Sequence, residues 1–142
     1  MRWVRALLVG FLVIGNANSQ GDYPIRPVKV IVPSPPGGGT DILARVLAQH
    51  LSKALGQPFF VENKAGAGNM IGIEFVAHAA ADGYTVLVVP STLALNSVLY
   101  KKVPYDPVRD FAPVTLAATA PNVLVVNPVL PAKSLAEFIA LA

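Results

Sequence analysis

Val28-Lys29-Val30-Ile31-Val32-Pro33-Ser34-Pro35-Pro36-Gly37-Gly38-Gly39-Thr40-Asp41 is the stretch on which the fold turns. Its first five residues are β-branched and, apart from Lys29, apolar. That is the composition of a strand buried on both faces of a parallel sheet. Pro33 to Asp41 breaks the strand and opens a helix. From there apolar residues recur at Ile42, Leu43, Val46, Leu47, Leu51 and Leu55, with Arg45, Gln49 and Lys53 on the other side, which is helical spacing. Gly56 is the stop, and Thr40 or Asp41 is placed to cap the start through a side-chain oxygen. A Pro/Gly loop between strand and helix exposes unpaired backbone N–H groups at the positive end of a helix dipole. A carboxylate or a phosphate docks there. Three adjacent glycines, each losing backbone entropy on ordering, exceed what a simple turn needs.

The pattern repeats twice. Phe59–Asn63 reads as a second strand, Lys64–Gly68 as a Gly-rich turn, and Met70–Ala81 as a second helix. Tyr84–Val89 reads as a third strand, broken by Pro90-Ser91-Thr92, with a short helix over Leu93–Tyr100. Strand, loop and helix in threefold succession predict an open, largely parallel α/β sheet with flanking helices. Ligands of such sheets bind beyond the carboxyl ends of the strands, where the loops Pro33–Asp41, Ala65–Met70 and Pro90–Asn96 meet. Lys101–Asp110 reads as a solvated turn, and Phe111–Ala120 and Asn122–Val126 as further strands. Ser134-Leu135-Ala136-Glu137 is a capping box that opens a last helix. That helix has a start signal and no stop signal before Ala142, so the chain is expected to end inside an element.

The N-terminus has its own logic. Met1–Arg5 is basic, Ala6–Gly15 is an uncharged apolar run, and Asn16–Ser19 places small residues at the −3 and −1 positions of a cut after Ser19. This is the layout of a cleavable export signal, residues 1–19, and the run is too short for a comfortable bilayer span. Of 142 residues, 54% are hydrophobic and 13% charged. Without Arg2 and Arg5 the formal charge falls from +3 to +1, and no Lys/Arg run exceeds Lys101-Lys102, so nothing points to nucleic acid. The absence of cysteine excludes disulfides, thiolate catalysis, Cys-ligated zinc and lipidation at an N-terminal Cys.

Several stretches together resemble one family. They are Tyr23–Asn63, Gly66–Gly72 (GAGNMIG), Asp82–Val89 (DGYTVLVV), Leu99–Val114 and Val123–Pro128. The chain is similar to the Bug, or tripartite tricarboxylate transporter receptor, family of periplasmic solute-binding proteins. The resemblance implies one lobe of a two-lobed, type II Venus-flytrap fold, and no enzyme. It implies residues 20–120 as an incomplete ligand-binding lobe one, residues 121–142 as a crossover strand and the start of lobe two, and a C-terminal half that is absent. Members are roughly twice this length, a two-domain size. The implied partners are the membrane permease subunits of a transporter. The implied ligand is a small carboxylate: a dicarboxylate, a tricarboxylate, an acidic amino acid or an aromatic acid. No cofactor, metal or catalytic residue is implied. Carried over by position, ligand contacts fall on Gly37, Gly38, Gly39, Thr40 and Asp41, on Gly66, Gly68 and Asn69, and on Ser91, Thr92 and Asn96. Asn69 and Met70 depart from the family's pattern at the second loop, which leaves the ligand's identity open.

Two other readings stand beside this one. Gly66-x-Gly68-x-x-x-Gly72 has the flavour of a dinucleotide loop and would suit a nucleotide-dependent enzyme. Yet it follows the second strand, its third glycine is one residue late, and no acidic residue ends the third strand. A truncated product without independent function is the other. Asp41 reads equally as a ligand contact and as a first-turn acid complementing the helix dipole. His50 and His78 are solitary on their helices and read as surface or half-buried histidines. Ser91 lacks a nucleophile elbow and reads as a ligand hydroxyl or turn residue.

Overall fold

Val28–Val32 (β1) is the centre of the sheet in this computed structural model, which describes residues 23–141. The predicted export signal lies outside the described residues. β1 pairs in parallel with Phe59–Asn63 (β2), from Val28 opposite Phe59 to Val32 opposite Asn63. On its other edge it pairs in parallel with Thr85–Leu87 (β3), from Lys29 opposite Thr85 to Ile31 opposite Leu87. The order is therefore β2-β1-β3. Ladder bonds flank β3 on both sides: Lys29 N–H donates to the Tyr84 carbonyl, and Val88 N–H donates to the Ile31 carbonyl, each at 2.9 Å. The third strand is shorter than its β-branched run because β1 ends at Pro33, which has no N–H to continue the ladder.

Both faces of β1 are covered. Val28, Ile31 and Val32 are fully buried and Val30 nearly so, and burying a Val or Ile side chain contributes about 1.5–3 kcal/mol. Gly39–Leu55 (α1) covers one face, where Val30, Val32, Ala44 and Ala48 form a cluster flanked by Phe59, Val61 and Val88. The buried stripe of α1 is Asp41, Ala44 and Ala48, whereas Ile42, Val46, Leu51 and Leu55 are exposed. The helix is thus rotated from the face its large apolar residues predict. Small side chains let its backbone sit close to the sheet. Gly56, in the left-handed region, ends the helix by donating to the Ser52 carbonyl at 3.1 Å. The Ser52 hydroxyl donates to the Ala48 carbonyl and accepts the Phe59 N–H, which ties α1 to the start of β2.

Met70–Ala77 (α2) follows a tight turn at Ala67–Asn69 and lies against β1 and β3. It places Ile73 fully buried. It stops before the predicted Ala81 because its C-terminus tightens: Ala79 N–H donates to the Val76 carbonyl at 3.0 Å, and an imidazole nitrogen of His78 meets the Glu74 carbonyl at 2.9 Å. On the α2 side, Glu62 bridges Lys64 at 2.7 Å and Lys29 at 3.3 Å, and Lys64 stands 4.2 Å from the centre of the Phe75 ring. The Lys64 hydrogen bond, helped by Lys29, holds the Glu62 carboxyl below its ordinary range.

At the opposite end of the sheet from the loops, the Tyr23 hydroxyl donates to the Gly83 carbonyl at 2.6 Å. Arg26 there pairs with Asp82 at 2.8 Å and stacks over Tyr84 at 3.8 Å. Thr92–Leu99 (α3) closes the βα succession. After it, the predicted solvated turn is anchored by buried Tyr105, whose hydroxyl donates to the Leu93 carbonyl at 3.3 Å.

The chain divides into two compact units between Ala112 and Pro113, inside the segment read as a strand. No strand forms from Phe111 to Val126. A strand is a paired object, and these residues find no ladder partner among the described residues, so the predicted strands do not form. In the second unit, Leu135–Leu141 (α4) starts as the capping box requires: Glu137 N–H donates to the Ser134 hydroxyl at 3.2 Å. The Glu137 carboxylate accepts the Lys133 N–H at 2.6 Å.

Gly72 is where α2 approaches the sheet most closely. A Cβ there would stand 2.8 Å from the Lys64 carbonyl oxygen and from Pro33 Cα and Cβ, whereas one at Gly39 would meet nothing within 4 Å. Gly72→Val is expected to lower stability by about 1–3 kcal/mol, and Gly39→Ala to leave it within about 0.5 kcal/mol. Urea unfolding of both variants checks this; equal midpoints would contradict the packing described.

Candidate functional site

All three strand-to-helix loops leave the carboxyl end of the sheet, and the chain reverses direction across β1. From β1 it moves outward to β2, then returns over β1 to β3. The loops after β1 and β3 therefore diverge at the switch point, where α/β sheets hold ligands.

The first loop is built around Asp41. α1 begins at Gly39 with Gly38 as its N-cap, and no side chain caps it. The expected cap by Thr40 or Asp41 is therefore replaced by another arrangement. As the third helical residue, Asp41 turns its carboxylate back over the loop. Oδ2 accepts the Gly37 N–H at 2.9 Å and the Arg45 Nε–H at 3.0 Å, and Oδ1 accepts Asn63 Nδ2–H at 2.9 Å. Asn63, at the end of β2, also donates to the Ser34 carbonyl at 3.0 Å and accepts from Arg45 Nη2 at 3.1 Å. Asp41 is 2% exposed. The Arg45 hydrogen bond first, then the Gly37 amide and Asn63, hold its carboxyl far below the usual carboxylate range. Asp41 is thus a brace with its oxygens engaged internally, not an open ligand contact.

The brace leaves other amides free. The N–H groups of Gly38, Gly39, Thr40 and Asp41 take no acceptor among the described residues, as expected for the first turn of a helix. Gly37–Gly39 are exposed and Thr40 is half-buried. Arg45 balances the Asp41 charge, so the amides keep a positive potential for an incoming anion.

The second and third loops are joined to each other. Gly66, Ala67, Gly68 and Asn69 all have positive φ: 134°, 48°, 64° and 74°. Ala67 and Asn69 pay a steric cost there that surrounding contacts must offset. Two contacts do so. Buried Asn96, on α3, donates from Nδ2 to the Gly68 carbonyl at 2.9 Å, and Asn69 Nδ2 donates to the Thr92 hydroxyl oxygen at 3.0 Å. A side chain at Gly68 would also press on the Tyr100 hydroxyl, at 3.2 Å. Ser91 is the exposed N-cap of α3. Gly68, Asn69, Thr92 and Asn96 thus form one connected set, and Gly37, Asp41, Asn63 and Arg45 another. Gly72 against Pro33 links their supports.

Sequence reasoning missed Arg45, Asn63 and Ser34. The first had a signal in its i,i+4 spacing from Asp41, the second in being a polar residue at the carboxyl end of a strand. Ser34 Oγ is buried and unpartnered among the described residues, and nothing in its spacing marks it. The two histidines are exposed, and no grouping of three potential metal ligands occurs among the described residues. No helix of the described residues is long and apolar enough to cross a membrane.

Asp41 makes stability pH-dependent in one direction. Its folded pKa lies below the unfolded value of about 3.9. Its contribution is therefore complete above that value and lost as pH falls below it. The stability gap between the parent chain and Asp41→Asn is expected to be constant from about pH 8 to 5 and to shrink below about pH 4. Urea midpoints across that range test it, and parallel curves down to about pH 2.5 would show that the carboxylate is not held as described.

Known proteins resemble this chain in sequence and in fold. The model of the tripartite tricarboxylate transporter family receptor matches residues 43–142. Protein BugT of Bordetella pertussis is 45% identical over 147 aligned residues, covering 99% of this chain and 45% of that protein. Among solved structures, Rpa4515 of R. palustris with adipate superposes with a TM-score of 0.75 at 42% identity, over 85% of this chain and 41% of that one. MatC from Rhodopseudomonas palustris with bound malate gives 0.74 at 38% identity, over 84% and 41%. The chain spans less than half the length of each of these proteins. It belongs to the tripartite tricarboxylate transporter receptor family.

Proposed function

We propose that the chain supplies one side of the ligand site of an extracytoplasmic solute receptor for a small carboxylate, without catalysing a reaction. The carrying observation is the first turn of α1: four free amides at a helix N-terminus, on a loop clamped by Asp41, Arg45 and Asn63. Donors of this kind suit an anion and need no side-chain cation at the contact. Ser91 and Thr92, at the start of α3, add hydroxyls from the next loop of the sheet. The adipate and malate held by the two related R. palustris proteins are ligands of the expected chemistry. Dicarboxylates therefore head the candidates, ahead of tricarboxylates, acidic amino acids and aromatic acids.

The same reading makes the first 19 residues an export signal and the periplasm the site of action, with permease subunits of a tripartite transporter as the docking partner. It makes residues 20–120 most of one lobe and 121–142 the approach to a second. Capture then consists of anion docking on the amides and closure of the second lobe. The dinucleotide alternative is disfavoured because its glycine loop follows the edge strand β2 rather than β1, and the Gly68 carbonyl is tied to Asn96.

Titration calorimetry with malate, adipate, citrate, glutamate, benzoate and ATP tests this reading. Heat from a carboxylate and none from ATP is expected; heat from ATP alone would overturn it. Gly38→Val is expected to reduce carboxylate affinity at least about tenfold, since a hydrogen bond to a charged group contributes about 1.5–3 kcal/mol. The fold should tolerate the change, because a Cβ at Gly38 would approach only the Pro35 carbonyl oxygen, at 3.7 Å.

A further inference from the structure

The contact between Asn69 and Thr92 has a direction, and the direction has a chemical consequence. The Thr92 oxygen accepts from Asn69 Nδ2 at 3.0 Å, and its hydroxyl hydrogen goes to no acceptor among the described residues. A hydroxyl has a single hydrogen and two acceptor positions. Once Asn69 occupies an acceptor position, the hydroxyl rotates so that its hydrogen points away from the amide. Asn69 is held for this task. It sits at φ 74°, a conformation that Asn tolerates better than most residues. The preceding peptide is fixed by buried Asn96 on the Gly68 carbonyl at 2.9 Å. Thr92 is the first residue of α3, beyond the carboxyl end of β3, at the switch point of the sheet.

We propose that Asn69 is a positioning residue: by donating to Thr92 it fixes the Thr92 hydroxyl as a hydrogen-bond donor toward the ligand, so that the third loop favours a carboxylate oxygen over a group that can only donate. The proposal rests on the carboxylate-receptor reading and deepens it. The first loop offers amide donors and the third adds an oriented hydroxyl donor, so both contacts have one polarity. A ligand group that itself donates, such as an amine, finds only the one acceptor position that Asn69 leaves on Thr92 and makes no use of the oriented hydrogen, so the loop favours an acceptor over a donor.

A double-mutant cycle by calorimetry, with malate and adipate as probes, separates positioning from bulk stability. Asn69→Gly suits the backbone, because glycine takes positive φ freely, and Thr92→Val keeps the shape while removing the hydroxyl. Thr92→Val is expected to lower affinity about tenfold, and Asn69→Gly severalfold. The double variant should bind no more weakly than Thr92→Val alone, because Asn69 acts through Thr92. Asn69→Asp, also compatible with positive φ, would accept the Thr92 hydrogen and reverse the hydroxyl, and is expected to weaken binding more than Asn69→Gly. Circular dichroism and melting temperature establish that each variant is folded. Additive losses in the double variant, or unchanged affinity in Thr92→Val, would overturn the inference while leaving the receptor reading intact. No binding of any carboxylate by the parent chain would overturn that reading, and the inference with it.

Discussion

β1 has no free edge and no free face, and the rest of the molecule follows from that. All five residues pair with β2, the middle three also pair with β3, and the four apolar side chains are buried, under α1 on one face and α2 on the other. A parallel pair cannot be closed by a hairpin, so each link must cross back through a helix. With β1 in the middle, the chain visits one edge, then the other. Every strand-to-helix loop is thereby delivered to the same end of the sheet, and each helix that follows aims its N-terminus there. The site follows from topology before any particular side chain is chosen.

At that end the first-turn amides of α1 are a resource for an anion. The protein's own carboxylate, Asp41, could have filled the N-terminus. It takes the Gly37 amide, which lies before the helix begins, and is further occupied by Arg45 and Asn63. This positions the loop without consuming the helical amides. The same geometry recurs at α4, where the third-residue carboxylate of Glu137 takes the amide of Lys133, just before the Ser134 cap. There Ser134 also fills a helical amide. At α1 the N-cap is Gly38, which has no side chain to do so. Gly in place of Ser leaves one more first-turn amide free at α1 than at α4.

Much of this was legible in the sequence. The bounds of β1 follow from a β-branched run closed by Pro33, those of β2 from an aromatic start at Phe59 and the Gly-rich turn that opens at Lys64, and the end of α1 from Gly56. The three loops follow from strand–helix alternation. What was not legible depends on contacts between distant residues. The buried face of α1 is set by how close the helix lies to the sheet, so Ala44 and Ala48 face inward where Ile42 and Val46 have the greater hydrophobicity. The strands expected over Phe111–Ala120 and Asn122–Val126 have no partner to pair with among the described residues. Asp41 read equally as a ligand contact and as a dipole complement. Only the position of Asn63, paired opposite the end of β1, turns it into a brace.

The second loop shows why local and functional demands differ in one short segment. Four successive residues with positive φ are locally unfavourable, and only two of them are glycine. A segment at ease would have used glycine throughout, but glycine has no side-chain amide to donate. Placing Asn at the fourth position accepts some backbone strain and gains a side chain that reaches α3. The carbonyl one residue earlier is caught by Asn96 from the same helix. Two asparagines therefore link loop and helix in both directions, one from each partner. A loop tied at two points cannot shift against α3 without breaking a partly buried hydrogen bond, which has a larger cost than an exposed one. That rigidity is what a hydroxyl needs if its orientation is to discriminate between an acceptor and a donor.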